Sequence, residues 1–119
     1  MLVQYNDSSK KITMGLLSYI ADLKEPARLE EELDWYEAED DRQLFLWKSE
    51  ETGNFIGIIG VEIKDIVLLR HISIDPSYRN EGITYKILDA LQEKFEDKNI
   101  ASTLETASII SKWQKKNAK

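Results

Sequence analysis

Residues 66–91, IVLLRHISIDPSYRNEGITYKILDAL, constrain the fold more than any other part of the chain. They predict a buried strand, a proline, a tight loop with one glycine, and then an amphipathic helix. This order directs free backbone N–H groups towards one point, because the first N–H groups of a helix have no partner inside it. Such a point favours an anionic group, most often a phosphate.

The loop before this helix has the residues that such a site needs. Pro76 ends the strand pairing because it has no N–H to donate. Gly82 lets the backbone approach a ligand closely because it has no Cβ, and Lys86 adds positive charge nearby. The alternative is an ordinary strand–turn–helix connection, since a lone R-x-x-G-x-T is a weak motif outside its context.

The overall composition narrows the class of protein. The 119 residues fit one domain, residues 1–119, with no low-complexity linker. Cysteine is absent and His71 is the single histidine, so disulfides and multi-histidine metal centres are excluded, and we expect no metal. The net charge of −6 argues against a nucleic-acid partner. Without a membrane-length apolar run or a signal-peptide pattern, we expect a cytoplasmic protein with no membrane partner.

Hydrophobic periodicity predicts the order β-α-α-β-β-β-α-β-α. This order indicates an α/β fold, with a mixed, mostly antiparallel sheet flanked by helices on both faces. Strand patterns occupy residues 2–5, 43–48, 54–63, 66–74 and 99–103. Helical spacing occupies residues 11–21, 26–36, 83–95 and 105–115. In the second helix, Leu29, Leu33 and Tyr36 are expected to face inward.

At Ile72-Ser73-Ile74-Asp75-Pro76 and the loop that follows, the chain resembles the acyl-CoA-binding motif of the GNAT family of N-acetyltransferases. The element order also resembles that family over nearly the whole chain, although the usual C-terminal hairpin is lacking. Three segments, MGLLSYI, DRQLFLW and RHISIDPSYR, are similar to the small RibT proteins encoded in bacterial riboflavin operons.

The resemblance implies that acetyl-CoA or CoA is the co-substrate. Its pantetheine arm would lie beside the strand that carries Ile72, Ser73 and Ile74, at a splay between this strand and the next. Its pyrophosphate would rest on the backbone amides of the loop and helix start. The implied contacts there are Arg79, Asn80, Glu81, Gly82, Ile83, Thr84, Tyr85 and Lys86. Thr84 replaces the glycine or alanine that is usual in the family.

The resemblance also implies an acetyl transfer to an amine, of a small molecule or a protein, in a ternary complex. Two groups that are common in the family are absent, because Leu68 occupies the position of a glutamate and Ser111 that of a tyrosine. Glu62 and His71 are the substitute catalytic candidates; the simpler interpretations are a solvated carboxylate and a packed histidine. The alternative function is a non-catalytic module that binds CoA and regulates a partner, linked to riboflavin metabolism.

The second helix and the missing hairpin raise two further expectations. The helix has an acidic face for which a solvated surface is the simplest interpretation. The alternative is a negative wall that attracts a cationic amine. The acidic residues are Glu30, Glu31, Glu32, Asp34, Glu37, Glu39, Asp40 and Asp41. A missing terminal hairpin leaves a sheet edge to cover, and a homodimer is one remedy.

Overall fold

The computed structural model describes residues 1–79 and 82–117. The strands are β1 (Leu2–Gln4), β2 (Arg42–Lys48), β3 (Phe55–Ile63), β4 (Val67–Ile74) and β5 (Ile100–Ser102). The α-helices are α1 (Lys10–Leu17), α2 (Pro26–Glu37), α3 (Ile83–Lys94) and α4 (Ala107–Asn117). Short 3₁₀ turns occupy Asp7–Ser9, Ala21–Leu23 and Pro76–Tyr78. The predicted order of strands and helices is confirmed.

The five strands form one sheet in the order β1-β2-β3-β4-β5. All neighbours are antiparallel except β4 and β5, which are parallel. A parallel pair needs a crossover between its strands, and α3 provides it. The mixed, mostly antiparallel sheet that the sequence predicted is therefore present.

Alternation along the strands divides the apolar residues between two cores, because successive side chains point to opposite faces of a sheet. One core lies on the side of α3 and α4 and includes Phe45, Ile59, Ile87, Leu91 and Trp113. The other lies on the side of α1 and α2 and includes Leu17, Leu29, Leu33, Leu44 and Ile58. Both faces of β3 are thus covered, as its continuous apolar run predicted.

Two irregularities shape the end of β4. Opposite β3, Gly60 pairs with His71 and Val61 pairs with Leu69, so Arg70 is an extra residue in β4, a β-bulge. On its other side, β4 pairs with β5 only at residues 67–69. Beyond the bulge, the edge of β4 is therefore open in the part of the chain that the structure describes.

One surface prediction for α2 is wrong. Glu32 does not belong to a solvated acidic face, since it is only 8% exposed and its carboxylate lies 2.9 Å from the Arg28 guanidinium. The ion pair explains why a carboxylate is tolerated in this partly buried position. Other acidic residues of the face, such as Glu30, Glu31 and Asp34, are exposed as expected.

No helix among residues 1–79 and 82–117 is long and apolar enough to cross a membrane. The same residues contain no group of three or more histidine, aspartate or glutamate side chains arranged to hold a metal ion.

Candidate active site

A groove of 540 Å³ runs along the open edge of β4, and we call it the β4 groove. One wall consists of Ile72, Ser73 and Ile74 from β4. Tyr19 and Ile20, which follow α1, line it as well, together with Ile109 and Lys112 of α4. The groove exists because β5 leaves β4 after Leu69, where the Thr106 hydroxyl donates to the Leu69 carbonyl at 2.9 Å.

Ser73, which lines the β4 groove, has a buried hydroxyl without a hydrogen-bond partner among the described residues. The Ser73 hydroxyl oxygen makes no hydrogen bond to any described residue, although Ser73 is only 6% exposed. Leaving a buried hydroxyl unpaired costs about 1–3 kcal/mol. The unpaired hydroxyl and the open strand edge both suit an extended ligand with amide groups.

The start of α3 also lines the β4 groove. Gly82, Ile83, Thr84 and Tyr85 all line it. Gly82 is the N-cap in a left-handed conformation with φ 72°, and no side chain of the described residues caps the helix. The N–H groups of the first turn have no acceptor within the helix and carry the positive end of its dipole. Asn80 and Glu81, which the resemblance also implied, lie outside the described residues.

Arg79 and Lys86, both of which the resemblance assigned to the CoA site, line different cavities. The Arg79 side chain lines the β4 groove, where its Nε donates to the Ile74 carbonyl at 3.2 Å and its guanidinium lies over the Tyr19 ring. Lys86 lies one residue beyond Tyr85, rotated about 100° around the helix. It lines a separate cavity beside Trp47, and it does not line the β4 groove.

A second cavity, of 330 Å³, adjoins the β4 groove, and we call it the charged cavity. The two spaces share Ile20, Ile72 and Ile109 in their walls and are therefore neighbours. The titratable side chains of the charged cavity are Asp22, Arg28, Glu32, Arg70, His71 and Glu105. Carboxylates and guanidinium groups thus surround a space large enough for a small amine or an amine-bearing side chain.

The side chains of Tyr36 and His71 share a hydrogen bond. The Tyr36 hydroxyl lies 2.5 Å from the His71 Nδ1, across the β4 bulge from α2. Burial raises the pKa of the Tyr36 phenol well above its usual value, and the phenol therefore keeps its proton. Burial, ahead of the effect of nearby charges, lowers the pKa of His71. At neutral pH both rings are therefore uncharged.

The acidic groups of the charged cavity differ in their surroundings. Glu32 is buried in its ion pair with Arg28, whereas Asp22 and Glu105 are exposed. Hydrogen bonds from its own backbone N–H and from the Thr103 hydroxyl lower the pKa of Glu105, which keeps that carboxylate ionised. The cavity therefore offers negative charge at its mouth and an ion pair in its wall.

Glu62, Leu68 and Ser111 line neither the β4 groove nor the charged cavity. Glu62 lies opposite Leu68 in the β3–β4 pairing, and its carboxylate is 3.8 Å from both the Arg70 and the Lys64 side chains. Of the two predicted catalytic residues, only His71 lines the charged cavity.

The model of the Acetyltransferase (GNAT) family matches residues 14–111. Since this match spans most of the chain, the chain belongs to the GNAT family of acetyltransferases. A protein of Bacillus methanolicus, described as an uncharacterized N-acetyltransferase in the lysA 3′ region, is 41% identical over 116 residues. The similarity covers 96% of this chain and 95% of that protein.

Solved acetyltransferase structures share the fold. The aminoglycoside N-acetyltransferase AAC(6′)-Iy, in complex with a bisubstrate analog, superposes with a TM-score of 0.73 at 18% identity, covering 98% of this chain and 87% of that chain. The apo aminoglycoside 6′-N-acetyltransferase AAC(6′)-IG from Acinetobacter haemolyticus gives 0.71 at 17% identity, covering 98% and 88%. At such identities the likeness shows a common fold and not a common substrate.

Several site residues were not predicted from the sequence. Tyr36 had been assigned only to the core, and Arg28 and Glu105 had no assigned role. One signal for Tyr36 was present, because a glycine inside a strand, here Gly60, often marks a close approach by another group. An added Cβ at Gly60 would lie 2.1 Å from the Tyr36 hydroxyl oxygen.

Proposed function

We propose that this chain is an acetyl-CoA-dependent N-acetyltransferase that acts by direct transfer in a ternary complex. The observation that carries the proposal is the joining of two spaces, since the β4 groove meets the charged cavity at Ile20, Ile72 and Ile109. One space suits an acyl-CoA and the other suits an amine. Their junction is where an acetyl group and an amine would meet.

The residues present fit CoA. The open edge of β4 at Ile72, Ser73 and Ile74, with the unpaired Ser73 hydroxyl, would hold the pantetheine arm through hydrogen bonds to its amides. The uncapped first turn of α3 would hold the pyrophosphate. Backbone supplies most of these donors, which makes Thr84 in place of a small residue compatible with binding.

The proposed reaction replaces a C–S bond by a C–N bond, with loss of a proton from nitrogen and gain of one by sulfur. The neutral amine attacks the thioester carbonyl carbon, a C–N bond forms, and the C–S bond breaks. The attacking nitrogen loses a proton and the departing thiolate gains one, so charge balances. The chain's contribution is to hold the amine beside Asp22 and Glu105 and to orient it towards the junction. The cavity is open at these exposed carboxylates, and water there can carry the proton away.

A thermal-shift comparison tests the ligand class. A ligand that binds only the folded protein raises its melting temperature, so CoA and acetyl-CoA should raise it whereas flavin and ATP should not. Gly82→Asp should abolish the shift, because it places a negative side chain beside the phosphate site.

Gly53→Asp is the matched control for this variant. Gly53 has φ 76° and open space at its Cβ position, as Gly82 does, but it lies in the β2–β3 hairpin. Both variants add the same charge and the same backbone strain, and only the position differs. An equal CoA shift in the two variants would remove the α3 start from the proposal.

A non-catalytic CoA-binding module is the second candidate. It is favoured by Leu68 and Ser111 at the positions where the family commonly has a glutamate and a tyrosine, and by the position of Glu62, which lines neither space. Measurement of free thiol from acetyl-CoA across a panel of primary amines separates the two. Thiol release that depends on an amine supports the enzyme, and saturable CoA binding without such release supports the module.

Three finer assignments are also part of this proposal. The similarity of MGLLSYI, DRQLFLW and RHISIDPSYR to RibT proteins supports a role in riboflavin metabolism, and the cysteine-free composition suits the cytoplasm. A homodimer is supported by β5 as the edge strand of the sheet and by Leu104, which is 94% exposed two residues after it.

A further inference from the structure

We propose that Tyr36 holds His71 in the tautomer that carries its proton on Nε2, so that His71 serves the charged cavity as a neutral hydrogen-bond donor and not as a base. The inference rests on the proposed function for its catalytic meaning, and it revises the expectation that His71 takes a proton from the amine. Tyr36 is then a positioning residue.

The geometry of the pair leaves little freedom. Tyr36 is 3% exposed, and its hydroxyl oxygen lies 2.5 Å from the His71 Nδ1. The two rings meet edge to face, with centroids 5.6 Å apart and planes at 64°. The hydroxyl occupies the space that a side chain at Gly60 would fill. Since Nδ1 is engaged from behind, Nε2 is the ring nitrogen left for the charged cavity.

The direction of the hydrogen bond follows from the number of protons available. If Nδ1–H donated to the phenol, the phenol's own proton would need a second acceptor, and no described residue provides one. A buried hydroxyl donor without a partner is unfavourable, because it has lost its hydrogen bond to water and gained none in return. If the phenol donates to the Nδ1 lone pair, every proton of the pair is used. A neutral imidazole that accepts at Nδ1 carries its single proton on Nε2.

The charges around the ring are compatible with a neutral imidazole. The charged groups that act on it are Arg28 and Glu32 from α2, Arg70 from β4, and Glu105 before α4. Two are positive and two are negative, so they largely offset one another, and burial decides the charge state. Both the lowered pKa of His71 and the raised pKa of Tyr36 favour the uncharged pair.

A neutral Nε2–H group cannot accept a proton, but it can donate a hydrogen bond to an oxygen that gains negative charge. Neutral imidazoles act as electrophiles of this kind in enzymes whose histidine pKa is lowered. The thioester carbonyl oxygen gains such charge when an amine attacks it. His71 lines the charged cavity, and the next residue, Ile72, lines both spaces, so His71 is one residue from the junction where such a donor would act.

The tautomer can be measured without any turnover, because the chain has one histidine. We expect ¹⁵N NMR of the imidazole at about pH 7 to show a protonated Nε2 and an unprotonated Nδ1. Tyr36→Phe should shift the ring towards a mixture of tautomers while the backbone spectrum is preserved. A protonated Nδ1, or a doubly protonated ring at this pH, in the unmodified protein would overturn the proposal.

Substitutions of His71 test the donor role. Glutamine keeps an N–H donor but cannot take up a proton, whereas alanine removes both functions. We expect kcat to fall about 100-fold in His71→Ala and less than about 10-fold in His71→Gln, with little change in the KM for acetyl-CoA. Equal losses in the two variants would overturn the donor role. If the unmodified protein acetylates no amine, the proposed function fails, and the NMR measurement still decides the tautomer.

Discussion

The contact between Gly60 and Tyr36 makes Gly60→Ala the most informative substitution in this chain. The added Cβ would lie 2.1 Å from the Tyr36 hydroxyl oxygen and 2.5 Å from its Cζ. Ordinary contacts are about 3.5 Å or longer, so the phenol must move by about 1 Å or more. Such a movement breaks the 2.5 Å hydrogen bond to His71.

The expected change in stability combines two costs and one opposing gain. Overpacking of a buried site costs about 1–3 kcal/mol. The lost hydrogen bond adds about 1 kcal/mol. Replacing glycine by alanine also restricts the unfolded chain and returns about 0.4–1 kcal/mol. We therefore expect Gly60→Ala to lower the free energy of unfolding by about 1–3.5 kcal/mol.

Gly57→Ala is the matched control in the same strand. Its Cβ would meet the terminal methyl groups of Ile74 and Ile87 at 2.9 and 3.2 Å, and these flexible ends can move aside. We expect a loss of less than about 1.5 kcal/mol, the usual limit for a tolerated change of core volume. Urea unfolding followed by tryptophan fluorescence measures both variants, and Trp35, 5.0 Å from the Tyr36 ring, is a local reporter.

Equal stabilities of the two glycine variants would refute the reasoning, because only Gly60→Ala should displace the Tyr36 ring. A double-mutant cycle with Tyr36→Phe adds a second check. Removing the hydroxyl relieves the shortest contact, so Gly60→Ala should cost less in the Tyr36→Phe background. A cost that is unchanged in that background would show that the phenol does not occupy this space.

Three further predictions use other parts of the structure. Folding lowers the pKa of His71 below its ordinary 6.5, so the unfolded chain binds a proton more readily than the folded one, and the free energy of unfolding should decrease as the pH drops below 6.5. Unfolding curves at about pH 7.5 and 5.5 should show a smaller decrease in His71→Gln than in the unmodified protein. An equal decrease in the two proteins would contradict the burial of the ring. In urea unfolding, Glu32→Ala should lower the free energy of unfolding by about 1 kcal/mol more than Glu31→Ala does. The Glu32 carboxylate lies 2.9 Å from the Arg28 guanidinium and the Glu31 carboxylate 3.9 Å from it, but only Glu32 is buried. Equal losses would argue against a structural role of the buried pair. Leu104→Asp should change the free energy of unfolding of the monomer by less than about 0.5 kcal/mol. It should also lower the dimer fraction measured by analytical ultracentrifugation, and an unchanged dimer fraction would place the interface elsewhere.

The element order could be predicted from the sequence because periodicity is a local property. Apolar spacing along α2 identified Leu29, Leu33 and Tyr36 as inward-facing, and the continuous apolar run of β3 identified a strand covered on both faces. The start of α3 could be predicted for the same reason, because a proline, a glycine and an amphipathic helix in that order indicate a helix whose first N–H groups are free. These features required no knowledge of which elements pack together.

The composition of the charged cavity could not be predicted in this way. Glu32 had the same pattern as its exposed neighbours, and its burial depends on where α2 packs against the end of β4. Glu62 and His71 were equal candidates in the sequence. The register of β3 and β4 separated them, by placing Glu62 opposite Leu68 and His71 opposite Gly60.

The sequence by itself therefore determined the strands and the helices, including the free start of α3 at which we propose an anionic group binds, because each depends on residues that are neighbours in the chain. Only the tertiary structure decided that Tyr36 and His71, 35 residues apart, share a hydrogen bond, and that the β4 groove meets the charged cavity. The physical reason is that these contacts depend on strand register and on the β-bulge at Arg70, which are fixed only when both faces of the sheet are packed.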